Sequence, residues 1–439
     1  MPSPLSHGKA LLLAAWAAAT PACSTSLPRT APNDMQVLHS SKARLDGASI
    51  PAGDVNAAAA SNNAFGLALF QEIKDAGPSG NVMFSPYSAT LALAMTELGA
   101  RGDTALQLSR SLAFTLADAR AHPALGALDL ALTSRGKNAQ GKDGQPFRLR
   151  IANSTWGQKA FPFTDAFLDA LAENYGAGVN AVDFLQDAEG ARLLINQWVL
   201  DATEQKIKDL VPSGAVGPLT RLVLIDAIYF NAAWRKQFDA RDTEDGAFHV
   251  AARKDVTVPM MTQTDFLGYA AGSAWQAVEL RYDGDEIGLL VLLPAEGKLA
   301  EVEASLAGET LSAIVGQLAS TNVRLTMPRW RLEWSSSLVE GLKALGAHDA
   351  FDPARADLTG IGGAKGELYV SEVLQKTFVA VDERGTEAAA ATSVIVGTTS
   401  VPPSPVEVRL DRPFLYFIRD VATGAVIFMG RVADPSVDR

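Results

Sequence analysis

The order of its patterned segments constrains this chain more than any single motif: helical periodicities crowd the first part, strand-like runs the later part. Phe65, Leu67, Leu69, Phe70 and Ile73 open a helical apolar pattern that the breaker run Gly77-Pro78-Ser79-Gly80 closes. Further helices are predicted over 88–98, 104–112, 164–174 and 189–208. Strands are predicted over 222–230, 287–293, 323–327, 378–381, 406–410, 414–420 and 425–429. Regular βαβ alternation is missing, so the expected class is α+β with large antiparallel or mixed sheets. With no internal repeat and no later linker, 59–435 is expected to be one domain.

Composition removes several function classes. With 48% hydrophobic and 20% charged residues in 439, the chain is an ordinary globular protein. Its 38 Lys and Arg against 49 Asp and Glu give a net charge of -11, which argues against a nucleic-acid-binding surface. Five histidines (His7, His39, His122, His249, His348) show no paired metal-site spacing, so neither metal nor cofactor is expected. An enzyme is not expected either: G-x-S-x-G and H-E-x-x-H are absent, and Gly360-Ile361-Gly362-Gly363 is too short and misplaced for a nucleotide loop.

Lys9 precedes an apolar run over 10–19, too short to span a bilayer but right for a signal-peptide core. Thr20-Pro21-Ala22 then supplies small residues, and Cys23 follows at once. The arrangement resembles a bacterial lipoprotein signal, in which the cysteine is lipidated and becomes the new N-terminus. It departs from that signal at Thr20, where Leu is usual. An ordinary secretory signal cut near Ala22 is the other reading. The expected organisation is a signal peptide over 1–22 and a flexible tether over 23–58, rich in Ser, Pro, Ala and Asn. Both readings place the mature domain outside the cytoplasm, held by a lipid on Cys23 at the outer membrane or cell surface, or else secreted or periplasmic.

Motifs along nearly the whole domain resemble the serpin family. They are Asn81-Val82-Met83-Phe84-Ser85-Pro86-Tyr87-Ser88, Ile195-Asn196-Gln197-Trp198-Val199, Ala227-Ile228-Tyr229-Phe230-Asn231-Ala232-Ala233-Trp234, Val258-Pro259-Met260-Met261, Leu325-Thr326-Met327-Pro328-Arg329-Trp330, Asp411-Arg412-Pro413-Phe414 and Ile427-Phe428-Met429-Gly430-Arg431-Val432. The resemblance implies the serpin fold, with about eight to nine helices, large sheets and an exposed reactive loop, here about 383–405. It also implies the inhibitory mechanism: a protease cleaves the loop, and the loop enters a β-sheet while the acyl-enzyme is still attached. The implied partner is a serine protease bound covalently to a monomer.

Glu383-Arg384-Gly385-Thr386-Glu387-Ala388-Ala389-Ala390-Ala391-Thr392 resembles the hinge of inhibitory members. An inserting strand must put alternate side chains into a packed core. From Thr386 the inward set is Thr386, Ala388, Ala390, Thr392, Val394 and Val396, which is small at first and then β-branched. Non-inhibitory members typically place a charged or bulky residue in that set; a non-inhibitory member acting as carrier, chaperone or protease bait is the alternative. No proline occurs from Arg384 to Val401, so every backbone N–H there is free to join a ladder.

Family spacing puts the reactive bond at Thr399-Ser400, with Val396-Gly397 and Thr398-Thr399 as competing sites. A small β-branched residue before the bond suits the shallow apolar pockets of elastase-like or subtilisin-like proteases. The resemblance also implies a hydrogen-bonded shutter beneath the point where the sheet opens. Ser85 and Ser88 match its serines, but Gln375 stands where His is usual and Asp226 where Asn is usual. An Asp acceptor facing a Gln donor would keep the gate's hydrogen bond. Asn231, Trp234 and Gly385 fall where insertion begins.

Overall fold

The computed structural model describes residues 34–75, 80–251, 254–386 and 404–437. Its helices are α1 (Ala52–Ile73), α2 (Pro86–Glu97), α3 (Gly102–Ser111), α4 (Asp118–Thr133), α5 (Asp165–Tyr175), α6 (Phe184–Ala202), α7 (Leu299–Ser305), α8 (Gly308–Gly316) and α9 (Val339–Ala344). None among the described residues is long and apolar enough to cross a membrane.

Two sheets carry the strands. The seven-stranded sheet A runs β1 (Gln36–Leu38), β4 (Val179–Val182), β3 (Arg148–Gln158), β5 (Leu222–Ala233), β13 (Gly385–Thr386), β12 (Val370–Asp382) and β11 (Trp330–Ser337). The nine-stranded sheet B runs β14 (Val406–Arg409), β10 (Ala319–Pro328), β7 (Lys254–Ala271), β8 (Trp275–Arg281), β9 (Ile287–Pro294), β15 (Phe414–Asp420), β16 (Val426–Val432) and β2 (Val82–Phe84), with β6 (Glu244–Ala251) paired to β7. Most neighbours are antiparallel; β3–β4, β5–β12 and β10–β14 are parallel. This is the mixed α+β architecture that separate blocks of helix and strand call for.

The two faces of sheet A are covered differently, and β5 records this in its alternation. Leu222, Leu224, Ile228, Phe230 and Ala232 join the main core with α1, α2 and sheet B. Val223, Ile225 and Ala227 lie under α6, in a second cluster with Trp156, Ile195 and Val199. All twelve residues of β5 are buried, which explains a near-continuous apolar run instead of a polar-apolar alternation. On the core side, α2 starts at the N-cap Ser85, whose side chain accepts from the Ser88 amide, with Pro86 in the first turn. Every residue of α2 is buried, and small side chains let it pass between the sheets.

Three expectations need correction. The tether expected over 23–58 is folded from Asp34 onward. β1 pairs with the edge strand β4, Arg44 reaches Asp129 at 2.7 Å, the Leu45 amide donates to Glu173 O at 2.8 Å, and α1 begins at Ala52. Alanine-rich sequence reads as linker by composition, yet Ala58 and Ala59 are buried because small side chains suit close helix packing. The helix expected over 189–208 runs instead over α6 and stops at Ala202, since Glu204 and Gln205 take left-handed backbone angles. Finally, α4 and the strands β3, β6, β7, β8 and β11 were not signalled. Pro123 lies inside α4, and these strands alternate too many polar residues to give an apolar run.

Candidate functional site

The parallel strands β5 and β12 form the central seam of sheet A, in register from Val223 opposite Glu372 to Tyr229 opposite Phe378 after a bulge at Ser371. Beyond that point they part. Gly385 and Thr386 occupy the fork as β13, antiparallel to both neighbours: Thr386 faces Ala232 on one side and Val381 on the other. The chain has therefore turned back from the end of β12 and placed two residues between the strands it separates.

Two side-chain properties permit this. Gly385 has φ +150, and a Cβ there would sit 2.0 Å from Ala232 O, so only glycine fits the turn. Thr386 is fully buried and lies on the core face, in the row of Ala232. Its hydroxyl bonds the Tyr282 hydroxyl at 2.8 Å. Tyr282 in turn stacks on Trp234, with centroids 4.5 Å apart and planes within 14°. Burial pushes the Tyr282 phenol up, so it stays neutral and able to donate.

Backbone and charge contacts hold the turn. Trp234 Nε1 donates to Asp382 O at 2.8 Å, the Trp234 amide to Arg384 O at 2.7 Å and the Phe238 amide to Glu383 O at 2.8 Å. Glu383 Oε1 accepts from Arg329 Nη2 at 2.5 Å and from the Thr243 hydroxyl at 2.5 Å. Partial burial pushes the Glu383 carboxyl up, but those two partners more than offset it and leave it below the usual glutamate range. On the other side, the buried Lys142 ammonium lies 2.9 Å from Asp382 Oδ2, while its amide donates to Asn231 Oδ1 at 2.9 Å. Asn231 also donates to the Tyr229 hydroxyl at 3.2 Å.

Further down the seam, Gln375 on β12 and Asp226 on β5 are direct partners in register. Gln375 Nε2 donates to Asp226 Oδ2 across the seam and to Ser85 O at 2.9 Å, while its Oε1 accepts from the Ser85 amide at 2.8 Å. The Ser85 hydroxyl donates to Ile427 O at 2.7 Å, tying this cluster to sheet B. Asp226 is fully buried. Its second oxygen, Oδ1, lacks a hydrogen bond, as the nearby Ser88 hydroxyl is turned to Asn153 Oδ1.

The structure thus brings Glu383, Gly385, Thr386, Asn231 and Trp234 together at the fork, and Ser85, Ser88, Asp226 and Gln375 together below it. Glu387, Ala388, Ala389, Ala390, Ala391, the bonds proposed for cleavage and Cys23 lie outside the described residues. Sequence reasoning missed Lys142, Thr243 and Tyr282 as parts of the fork. Each contacts a residue 100 or more positions away, as in the 104-residue gap between Tyr282 and Thr386; Thr243 belongs to the family resemblance, but no local pattern ties any of the three to the fork. Arg329 sits within a motif that was recognised, but without a role.

Fold and site define a protein whose principal sheet already receives the start of its own loop. The family model for Serpin (serine protease inhibitor) matches residues 60–435. Leukocyte elastase inhibitor A of Mus musculus is 37% identical over 383 residues, spanning 85% of this chain and 98% of that protein. Among solved structures, Serpin48 of the insect Tenebrio molitor, described as a highly specific serpin, has TM-score 0.74 at 31% identity and covers 86% of this chain and 98% of its own. Human thyroxine-binding globulin, solved with its thyroid hormone, has TM-score 0.77 at 26% identity and covers 87% of this chain and 99% of its own. The chain belongs to the serpin family.

Proposed function

We propose that this serpin inhibits serine proteases of elastase-like or subtilisin-like preference by inserting its cleaved loop between β5 and β12. The observation that carries the reading is the fork: Gly385 and Thr386 are already paired to both strands of the seam, with Thr386 turned into the core. Continuing that register matches each further loop residue to one step down β5 and one step down β12. Thr392, six residues beyond Thr386, then falls between Asp226, six before Ala232, and Gln375, six before Val381. The inward set Ala388, Ala390, Thr392, Val394 and Val396 meets the core with no charge and no bulk.

The chemistry belongs to the protease. Its serine hydroxyl attacks the carbonyl of Thr399, the bond to Ser400 breaks, and the new Ser400 amine leaves with the proton while Thr399 stays esterified to the enzyme. Insertion from Gly385 to Thr399 would carry that ester roughly 50 Å, at about 3.3 Å per residue. We further propose that the partner binds a monomer and that the mature domain works outside the cytoplasm.

The test is to mix the purified protein with elastase-like and subtilisin-like proteases and examine denaturing gels by mass spectrometry. A band at the summed mass, with a released fragment beginning at Ser400, is the expected result. A cut loop without that band against any protease would overturn inhibition in favour of a bait or carrier.

A further inference from the structure

Asp226 is an unusual group to find in the middle of a seam. It is fully buried, accepts a hydrogen bond from the opposite strand through Oδ2, and has no bond at Oδ1. Among the described residues no cation faces it from the elements packed around it. From β3 it meets Asn153, from β12 Gln375 and from α2 Ser88, all uncharged. The ionisable groups nearest along those elements are engaged elsewhere: Tyr87 with Asp129, Lys376 with Glu333 and Lys208 O, and Arg150 with Glu204.

A carboxylate in such a place has no counter-charge among the described residues, and the second donor beside it, the Ser88 hydroxyl, is engaged by Asn153, so a buried charge there is costly. A neutral carboxyl fits better. Its Oδ1–H becomes a donor beside the Ser88 oxygen, while Oδ2 keeps the Gln375 amide.

We propose that Asp226 is a proton-controlled lock on sheet A: with the carboxyl neutral it holds β5 to β12, and with the carboxyl ionised it loosens the seam. The consequence for inhibition rests on the insertion reading above, because in that register Thr392 enters between Asp226 and Gln375 and must break their bond. The lock itself is a property of the closed sheet and stands apart from any protease.

The direction of the pH effect follows from the site. Burial pushes the Asp226 carboxyl up from 3.8 to about 7, offset only in part by Ser88 and Gln375. A raised carboxyl stabilises the closed seam below the ordinary value and loses that advantage progressively as pH rises to about 7. If opening returns the carboxyl to its ordinary range, the open fraction grows roughly tenfold between about pH 6 and about pH 8.

The experiment adds a synthetic peptide with the sequence of 386–396 to the intact full-length protein. Its incorporation rate is followed near pH 6 and pH 8, in the wild type and in Asp226→Asn. Incorporation into the wild type should quicken roughly tenfold over that interval, and the asparagine variant should be flat. A second readout needs no insertion: the thermal midpoint of wild type minus that of Asp226→Asn should fall as pH rises through the same range. A midpoint difference independent of pH, or the same rate profile in both proteins, overturns the lock. If the peptide enters neither protein while the midpoint difference still titrates, the lock stands and the insertion reading falls.

Discussion

Replacing Thr386 by arginine puts a charge where the loop first enters the sheet, and the structure fixes what that should cost. Thr386 is fully buried, flanked by Ala232 and Val381, and among the described residues its side chain bonds the neutral Tyr282. Among the described residues no carboxylate of the fork is aimed at it: Glu383 is held by Arg329 and Asp382 by Lys142. An unpaired buried charge costs about 3–5 kcal/mol. Carried into the barrier for insertion, about 3 kcal/mol slows that step roughly 150-fold. Ester hydrolysis then wins the competition, and the protease is released with the loop cut. Titrating a fixed amount of protease should show the inhibitor needed per enzyme rising, its excess over one growing roughly 150-fold, with the detergent-stable band lost. Thr386→Val is the control, keeping the shape and giving up only the Tyr282 bond, about 1 kcal/mol; it should still inhibit. An arginine variant that forms the stable complex at wild-type stoichiometry would refute the inward placement of Thr386 during insertion.

Gly385→Ala should expel β13 from the fork, because the added Cβ meets Ala232 O at 2.0 Å; hydrogen exchange at Thr386 would rise, and unchanged protection would count against the turn as drawn. Cleaving the loop should raise the thermal midpoint of the free protein, since insertion adds a full central strand to sheet A; coincident melting curves for intact and cleaved protein would contradict it. The Glu383 latch should weaken in acid. Its carboxyl is held below its ordinary value of 4.5, so its contribution is present above that value and is lost as pH falls through the lower, folded one. Arg329→Ala should lessen that acid sensitivity, measured as the pH dependence of exchange at the fork.

Much of this architecture was legible in the sequence because its signals are local. The apolar run of β5 is continuous since both faces are covered, and Phe414–Asp420 read correctly as β15 for the same reason. The start of the expected hinge was legible at Gly385 and Thr386, which the structure places in the fork; its run of small side chains beyond Thr386 lies outside the described residues. What stayed hidden was set by distance. Lys142 and Tyr282 matter only because the fold brings them to Asp382 and Thr386, and alternation in β3 or β11 mixes exposed and buried residues too evenly to stand out. The tether was misread for the opposite reason: a weak local signal from 34–58 is overridden by pairing to the exposed edge of β4, where Gly178 leaves room for the approaching Leu38 carbonyl. Asp226 lies between these cases. The sequence marked it as a departure from the family's pattern, and the pairing with Gln375 could be reasoned from donor and acceptor alone. Its consequence could not, because whether an aspartate is a neutral donor or a costly anion depends on what surrounds it on all sides. Here that is a closed seam with the Gln375 amide on one oxygen, a Ser88 hydroxyl turned to Asn153, and no cation among the described residues.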